Sequence, residues 1–246
     1  MSIDSEYDLE RLRTAGKIVR LGLDAMAATA IPGVTTAELD AVCAKVLAEH
    51  GANSAPRQVY RFPGNACISV NDEAIHGVPG SRKLKNGDLL KLDVTVEKDG
   101  YFADAAITVS VGEVSAAADA LARCAETAFR QAMHVARAGY RLCEIGRAVE
   151  REVRRNGFSV MREFCGHGIG HTIHEEPSVP NYLDLSNRRR LHEGLVLAIE
   201  PIIAAGEGRA MLDRDGWTVR TADRSLAAHY EHTVVITKGD PVLLTA

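Results

Sequence analysis

Between Leu89 and Val96 the chain alternates. Leu90, Leu92, Val94 and Val96 fall on one face and Lys91, Asp93 and Thr95 on the other, the period of a half-buried strand. Asp99-Gly100 is a hairpin signal, and strand composition resumes from Tyr101 to Val111. Helical spacing governs the N-terminal stretch, where Asp4 or Ser5 can cap a helix running to about Ala28 through Leu12, Ile18, Leu21 and Leu23. Ile31-Pro32-Gly33 ends it. Thr35-Thr36-Ala37-Glu38 reads as a capping box opening a second helix, which Gly51 closes. Strand signals follow from Val59 onward, most clearly at Cys67–Val70. A third helix is predicted from Ser115 to about Ala138 and a fourth from about Leu142 to Arg155, with Gly139 and Asn156-Gly157 as their stops. Further strand signals lie at Val196–Ile203, Trp217–Thr221 and His232–Ile236.

The hairpin brings two acids together. Opposed residues of an antiparallel hairpin have a constant index sum. A loop at Lys98-Asp99 gives 197 and sets Asp93 opposite Asp104; a loop at Asp99-Gly100 gives 199 and makes the two diagonal neighbours. Either register puts both carboxylates on one face, roughly 5 Å apart if directly opposed, where like charges repel. Such a pair either shares a proton or holds a cation.

The two halves of the chain correspond. Gly33, Glu38 and Gly51 match Gly139, Glu144 and Gly157 at an offset of 106; Leu84, Gly87, Leu92 and Asp93 match Leu191, Gly194, Ile199 and Glu200 at 107. A duplicated helix–helix–strand unit with near-twofold symmetry would bring Asp93 and Glu200 face to face. The strands and helices do not alternate in a doubly wound manner. The expectation is therefore one α+β domain over residues 1–246, built of two related halves (about 1–114 and 115–246), with a curved antiparallel sheet covered by two helix pairs.

Composition narrows the class. The 246 residues are 46% hydrophobic and 25% charged, which is ordinary for a globular chain, and a net charge of −4 with no basic run gives no reason to expect nucleic acid or an anionic membrane. No apolar run approaches the ~18 residues of a membrane span. The polar, acidic start Met1-Ser2-Ile3-Asp4-Ser5-Glu6 does not read as a signal peptide. Five cysteines without a C-x-x-C pair argue against a disulfide framework, so a reducing cytoplasm is the expected setting.

Chemistry concentrates in three more places. Glu200 precedes Pro201, which cannot donate to a ladder, so Glu200 is expected at a strand end or edge. Glu231 opens an apolar strand in His229-Tyr230-Glu231-His232-Thr233. The run from Cys165 to Pro177 carries three glycines around His167 and three histidines within eight positions, which points to tight backbone and close approach. It lacks H-E-x-x-H, which disfavours a zincin helix. Asp93, Asp104, His167, Glu200 and Glu231 together make an oxygen-rich set for hard or borderline divalent ions. Four carboxylates balance two dications, so a dinuclear site is expected, and two ions ~3.5–4 Å apart support hydrolysis.

At these residues the chain resembles type I methionine aminopeptidases along essentially its whole length. The matching segments are Phe62-Pro63, Cys67–Asn71, Ile75–Pro79, Leu92–Thr95, Cys165–Pro177, Ile199–Pro201, Asp215–Thr218, Asp223–Ser225 and Tyr230–Thr233. The resemblance implies a pseudo-symmetric pita-bread fold and removal of the N-terminal, initiator methionine from nascent proteins and peptides, with a preference for a small second residue. It implies that Asp93 chelates one metal, that His167 and Glu200 hold the other, and that Asp104 and Glu231 bridge. The metals would be two of Co, Mn, Fe or Zn. Glu200 would accept or relay the proton of an attacking water, His174 would hydrogen-bond the scissile carbonyl, and His76 would contact the leaving amide. Tyr60, Phe62, Cys67, Ile173 and Trp217 would line a methionine pocket. A monomer is expected, with the ribosome as a candidate partner.

Three departures carry expectations. Tyr60-Arg61-Phe62 lacks the family's glycine between the aromatics, which should tighten that pocket wall. Ile173 stands where an aromatic is frequent, which should widen the slot. Asp104-Ala105-Ala106 lacks polar residues after the bridging acid, which should weaken support for the metals. Two other readings stay open: a metal-free binding module on this fold, disfavoured because all five ligands are present, and an X-Pro peptidase, which usually carries an extra N-terminal domain.

Overall fold

The computed structural model describes residues 1–246. In the first half, α1 (Glu6–Thr29) starts where Ser5 Oγ accepts the Asp8 N–H. In α2 (Thr36–Glu49) the Thr35 side chain and Glu38 cap each other reciprocally. There follow β1 (Asn53–Ser54), the short α3 (Ala55–Tyr60), β2 (Cys67–Val70), β3 (Glu73–Ile75), β4 (Leu89–Lys98) and β5 (Tyr101–Ser110). The second half has α4 (Ala116–Met133), capped by Ser115, and α5 (Cys143–Arg155). Then come β6 (Ser159–Val160), β7 (Cys165–Gly168), β8 (Glu175–Pro180), β9 (Val196–Ile199) and β10 (Ile202–Ala204). β11 (Ala210–Leu212), β12 (Val219–Thr221), β13 (Ala227–His229), β14 (Glu231–Val235) and β15 (Val242–Leu243) complete the chain.

Nine strands form one antiparallel sheet in the order β1-β4-β5-β14-β9-β7-β8, with β2 beside β4 and β15 beside β14. Strand alternation sorts its two faces. Leu90, Leu92, Val94 and Val96 of β4 and Ala103 and Ala105 of β5 pack under α1 and α2, against Val19, Leu23, Leu39 and Cys43. Leu197, Ile199 and Val234 do the same under α4 and α5, against Leu121, Phe129, Ile145 and Val149. Burial of one such leucine contributes about 1.5–3 kcal/mol, so each helix pair fixes its half of the sheet. The opposite face carries Asp93, Asp104 and Glu231.

The halves repeat in detail. The Gly33 N–H donates to Leu84 O at 2.8 Å, and the Gly139 N–H donates to Leu191 O at 2.8 Å. The Gly87 N–H reaches Val111 O at 2.9 Å as the Gly194 N–H reaches Ile236 O at 2.8 Å. Gly33 and Gly139 share left-handed backbone, φ 97° and 92°, which a side chain would strain. The expected α+β fold, duplicated about a pseudo-twofold, is the observed one.

Local departures have local causes. Residues 55–60 form α3, which takes in Val59 and Tyr60 where strand signals are expected to begin, because Pro56 sits in the first helical turn and Arg61 takes a left-handed conformation (φ 60°) that stops it. The third helix stops at Met133 rather than Ala138, since the chain must leave the helix for Ala138 and Gly139 to donate to Thr237 and Leu191. The strand expected over Val196–Ile203 is split at Glu200-Pro201 into β9 and β10. The hairpin takes the second of the two registers, with Thr95 opposite Asp104 and Asp93 opposite Ala106.

Candidate metal centre

Register alone brings the acids together. Ala106 of β5 is opposed by Asp93 on one side and by Glu231 of β14 on the other. Asp104 lies two residues along β5, on the same face. His232 pairs with Ile199, so Glu200 emerges from the end of β9 beside Glu231. His167 of β7 pairs with Ala198 and reaches the same point from the far side.

The imidazole of His167 is oriented. Its Nδ1 donates to its neighbour's carbonyl, Gly168 O, at 2.8 Å, which leaves Nε2 with a free lone pair 3.7 Å from Glu200 Oε1. The glycines around it serve close packing of backbone. A Cβ on Gly166 would run into Ala198 O, and one on Gly168 into Glu176 O. The close approach anticipated for this run is therefore to strands β8 and β9.

Ligand atoms of Asp104, His167 and Glu231 lie within 4.8 Å of one another, as do those of Glu200, His229 and Glu231. Asp104 Oδ1 and Glu231 Oε1 are buried without any hydrogen-bond partner. Burial pushes the carboxyl pKa values of Asp93, Asp104, Glu200 and Glu231 upward, and neighbouring carboxylates push Asp104, Glu200 and Glu231 further. Desolvation lowers His167 to about 4, so the ring is neutral and available as a ligand. Orphaned anionic oxygens beside neutral imidazole fit divalent cations and leave few other ways to satisfy the site.

All five of these residues line one cavity of about 300 Å³. Tyr60, Phe62, Cys67, Ile173 and Trp217 line its apolar side, and Phe62 meets Trp217 edge-on at 5.3 Å between centroids. Pro56, Ile75 and Thr95 add to that wall, and no sequence signal marked them as lining. His76 and His174 are exposed and belong to the same cavity. His174 stacks edge-on against His167 at 4.3 Å and accepts or donates a 2.6 Å hydrogen bond with the Tyr60 hydroxyl. His229 is the one polar group of the centre without a role assigned from sequence. It ends β13, two residues before Glu231 opens β14, and that proximity in sequence to Glu231 was a usable signal.

Residues 10–238 match the profile of metallopeptidase family M24. The chain belongs to metallopeptidase family M24. This M24 metallopeptidase is 43% identical over 247 aligned residues to methionine aminopeptidase 2 of Bacillus subtilis strain 168, with 100% of the chain and 99% of the relative covered. It is 39% identical to the methionine aminopeptidase of Escherichia coli strain K12, covering 100% and 94%. Its fold superposes on the crystal structure of methionine aminopeptidase from Rickettsia prowazekii with a TM-score of 0.96 at 36% identity, each chain covered in full. The resemblance read from the motifs is thus upheld over the full length of the M24 metallopeptidase.

Proposed function

We propose that this M24 metallopeptidase is a dinuclear aminopeptidase that removes the N-terminal methionine from new polypeptides and prefers a small second residue. The observation that carries the reading is the set of four carboxylates, two of them buried and two half-buried, and a neutral imidazole, with orphaned oxygens, at the floor of a half-apolar cavity. Asp93 would hold one ion, His167 and Glu200 the other, and Asp104 and Glu231 would be shared. Co, Mn, Fe and Zn all suit such donors. Bound ions would supply an activated water and polarise the scissile carbonyl.

The chain's own groups do the rest. Glu200 takes the proton of the attacking water at a carboxylate oxygen, a task suited to a carboxyl whose pKa is raised by burial. His174 donates from Nε2 to the oxygen of the scissile carbonyl as negative charge develops there. That assignment requires Nδ1 to accept, so the Tyr60 hydroxyl is the donor of their 2.6 Å bond. His76 contacts the leaving amide. The apolar wall of Phe62, Cys67, Ile173 and Trp217 takes the unbranched methionine side chain, and excludes water around it. A substrate held by its amine at the acids and its side chain at this wall leaves little room for a large second residue beside His76 and His174. The proposed setting is the cytoplasm, with a monomer working on nascent chains near the ribosome.

A peptide panel tests this. Met-Ala- and Met-Gly-starting peptides should lose methionine in the presence of divalent metal, Met-Leu and Ala-Pro peptides should resist, and a chelator should stop the reaction. Cleavage of Ala-Pro instead would establish an X-Pro peptidase, and no cleavage with any metal would overturn the catalytic reading.

A further inference from the structure

His229 lies on β13, is only 2% exposed, and has neither ring nitrogen hydrogen-bonded. Its Nε2 is 3.4 Å from Glu231 Oε2 and 3.7 Å from Glu200 Oε2. Those spacings exceed an N–H···O bond, whose heavy atoms sit about 2.7–3.2 Å apart. They suit two donors on one ion instead. Ligands about 2.1 Å from a tetrahedral cation lie roughly 3.4 Å from each other. The same spacing, 3.7 Å, separates His167 Nε2 from the other Glu200 oxygen, Oε1. The Glu200 carboxylate therefore has one imidazole facing each of its oxygens.

The duplication supplies an independent reason. The β9–β14 ladder pairs Ile199 with His232, and the β10–β13 ladder continues the same register with Ile202 opposite His229. In the first half the corresponding pairs are Asp93 with Ala106 and Thr95 with Asp104. Asp93 thus corresponds to Glu200, Ala106 to Glu231 and Asp104 to His229. The position that aims a carboxylate into the centre in one half aims an imidazole into it in the other.

We infer that His229 is a sixth protein ligand, facing Glu200 Oε2 and Glu231 Oε2 as His167 faces Glu200 Oε1, so that the centre offers one nitrogen donor per ion: His167 to the ion it shares with Glu200, and His229 to the ion that Asp93 holds. This assignment rests on the dinuclear reading above, and it adds a ligand that reading does not contain. A second imidazole moves the donor set away from all-oxygen coordination of that ion and toward borderline metals such as Zn, Co and Fe over Mn or Mg.

The test uses cobalt(II)-loaded protein. A cobalt-bound imidazole whose other nitrogen keeps its proton gives a hyperfine-shifted, solvent-exchangeable N–H resonance. Wild type at two equivalents of cobalt should show two such resonances, and His229→Gln should lose one of them. By calorimetry the variant should bind one of the two ions roughly tenfold or more weakly, with the other step unchanged. A single exchangeable resonance in wild type, or a variant with both binding steps unaltered, would overturn the assignment while leaving a dinuclear centre in place. Wild type that takes up no cobalt would overturn both. Should His229→Gln not fold, the count of resonances in wild type decides alone.

Discussion

The Tyr60 hydroxyl and His174 Nδ1 are 2.6 Å apart, with the two rings tilted at 34° and their centroids 5.7 Å apart. The bond joins the end of α3 to the glycine-rich run, two segments 114 residues apart in the chain. It also shows what Tyr60 does in a loop that lacks a glycine: Arg61 takes the left-handed backbone itself, and Tyr60 lines the cavity within reach of His174. Losing one such bond costs about 0.5–1.5 kcal/mol, so Tyr60→Phe should lower kcat about two- to tenfold with little change in KM. His174→Ala should cost roughly 10²–10³ in kcat as an oxyanion donor. In the His174→Ala background, Tyr60→Phe should have no further effect on kcat. Additive losses in the double variant would show that Tyr60 acts on substrate directly.

Protons and metal compete at the centre. Burial raises the carboxyl pKa values of Asp93 and Asp104 above 3.8 and those of Glu200 and Glu231 above 4.5. In metal-stripped protein the folded state therefore holds these protons more tightly than the unfolded state does. Stability from this source is greatest at pH below about 4 and falls as pH rises through the folded pKa values. Divalent ions hold the same groups ionised and bind better as protons leave. Thermal melts with and without metal should thus show a gap in Tm that widens from pH 5 to pH 8, mostly because the stripped protein weakens. Asp104→Asn should flatten the stripped protein's decline, since one of the four charges is gone. A gap of constant width would separate these carboxylates from the metal.

Much of this was legible before any coordinates, for a common reason. The caps at Ser5, Thr35 and Ser115, and the alternation through β4, are signals carried by a few neighbouring residues. Asp93 and Asp104 could be put on one face because a two-residue hairpin leaves only two registers. What stayed hidden depends on backbone meeting backbone far along the chain. The third helix ends at Met133 because Ala138 and Gly139 are claimed by Thr237 and Leu191, partners no local window contains. The glycines around His167 signal close approach, but not to what: Gly166 and Gly168 make room for β9 and β8. His229 escaped because its orphaned ring only becomes informative once Glu200, on another strand, is seen beside it. That Ala106 lies between Asp93 and Glu231 is likewise set by the pairing of three strands, which no local window contains.

One ion cluster outside the centre holds the cavity wall in shape. The Arg220 guanidinium donates to Asp213 at 2.6 Å, to Asp72 at 3.1 and 3.2 Å and to Glu73 at 2.8 Å. Glu73, nearly buried, also accepts from Arg82 at 2.8 Å and from the Val70 N–H at 2.7 Å. The cluster fastens β12 to β3, and these two strands run next to Trp217 and His76, which both line the cavity. Arg220→Ala would leave Asp72 and Glu73 facing each other with too little positive charge. Removing the central cation of this half-buried set costs about 1–2 kcal/mol, a fall of about 2–8 °C in Tm for a chain of this size. KM for Met-Ala peptides should rise, because the wall bearing Trp217 loosens, while bound metal stays constant, because no ligand is touched. Arg220→Lys keeps the charge but not the planar fork that reaches three carboxylates, so it should fall between the two. Metal lost together with stability in Arg220→Ala would mean instead that the small β3–β12 sheet supports the carboxylate floor itself.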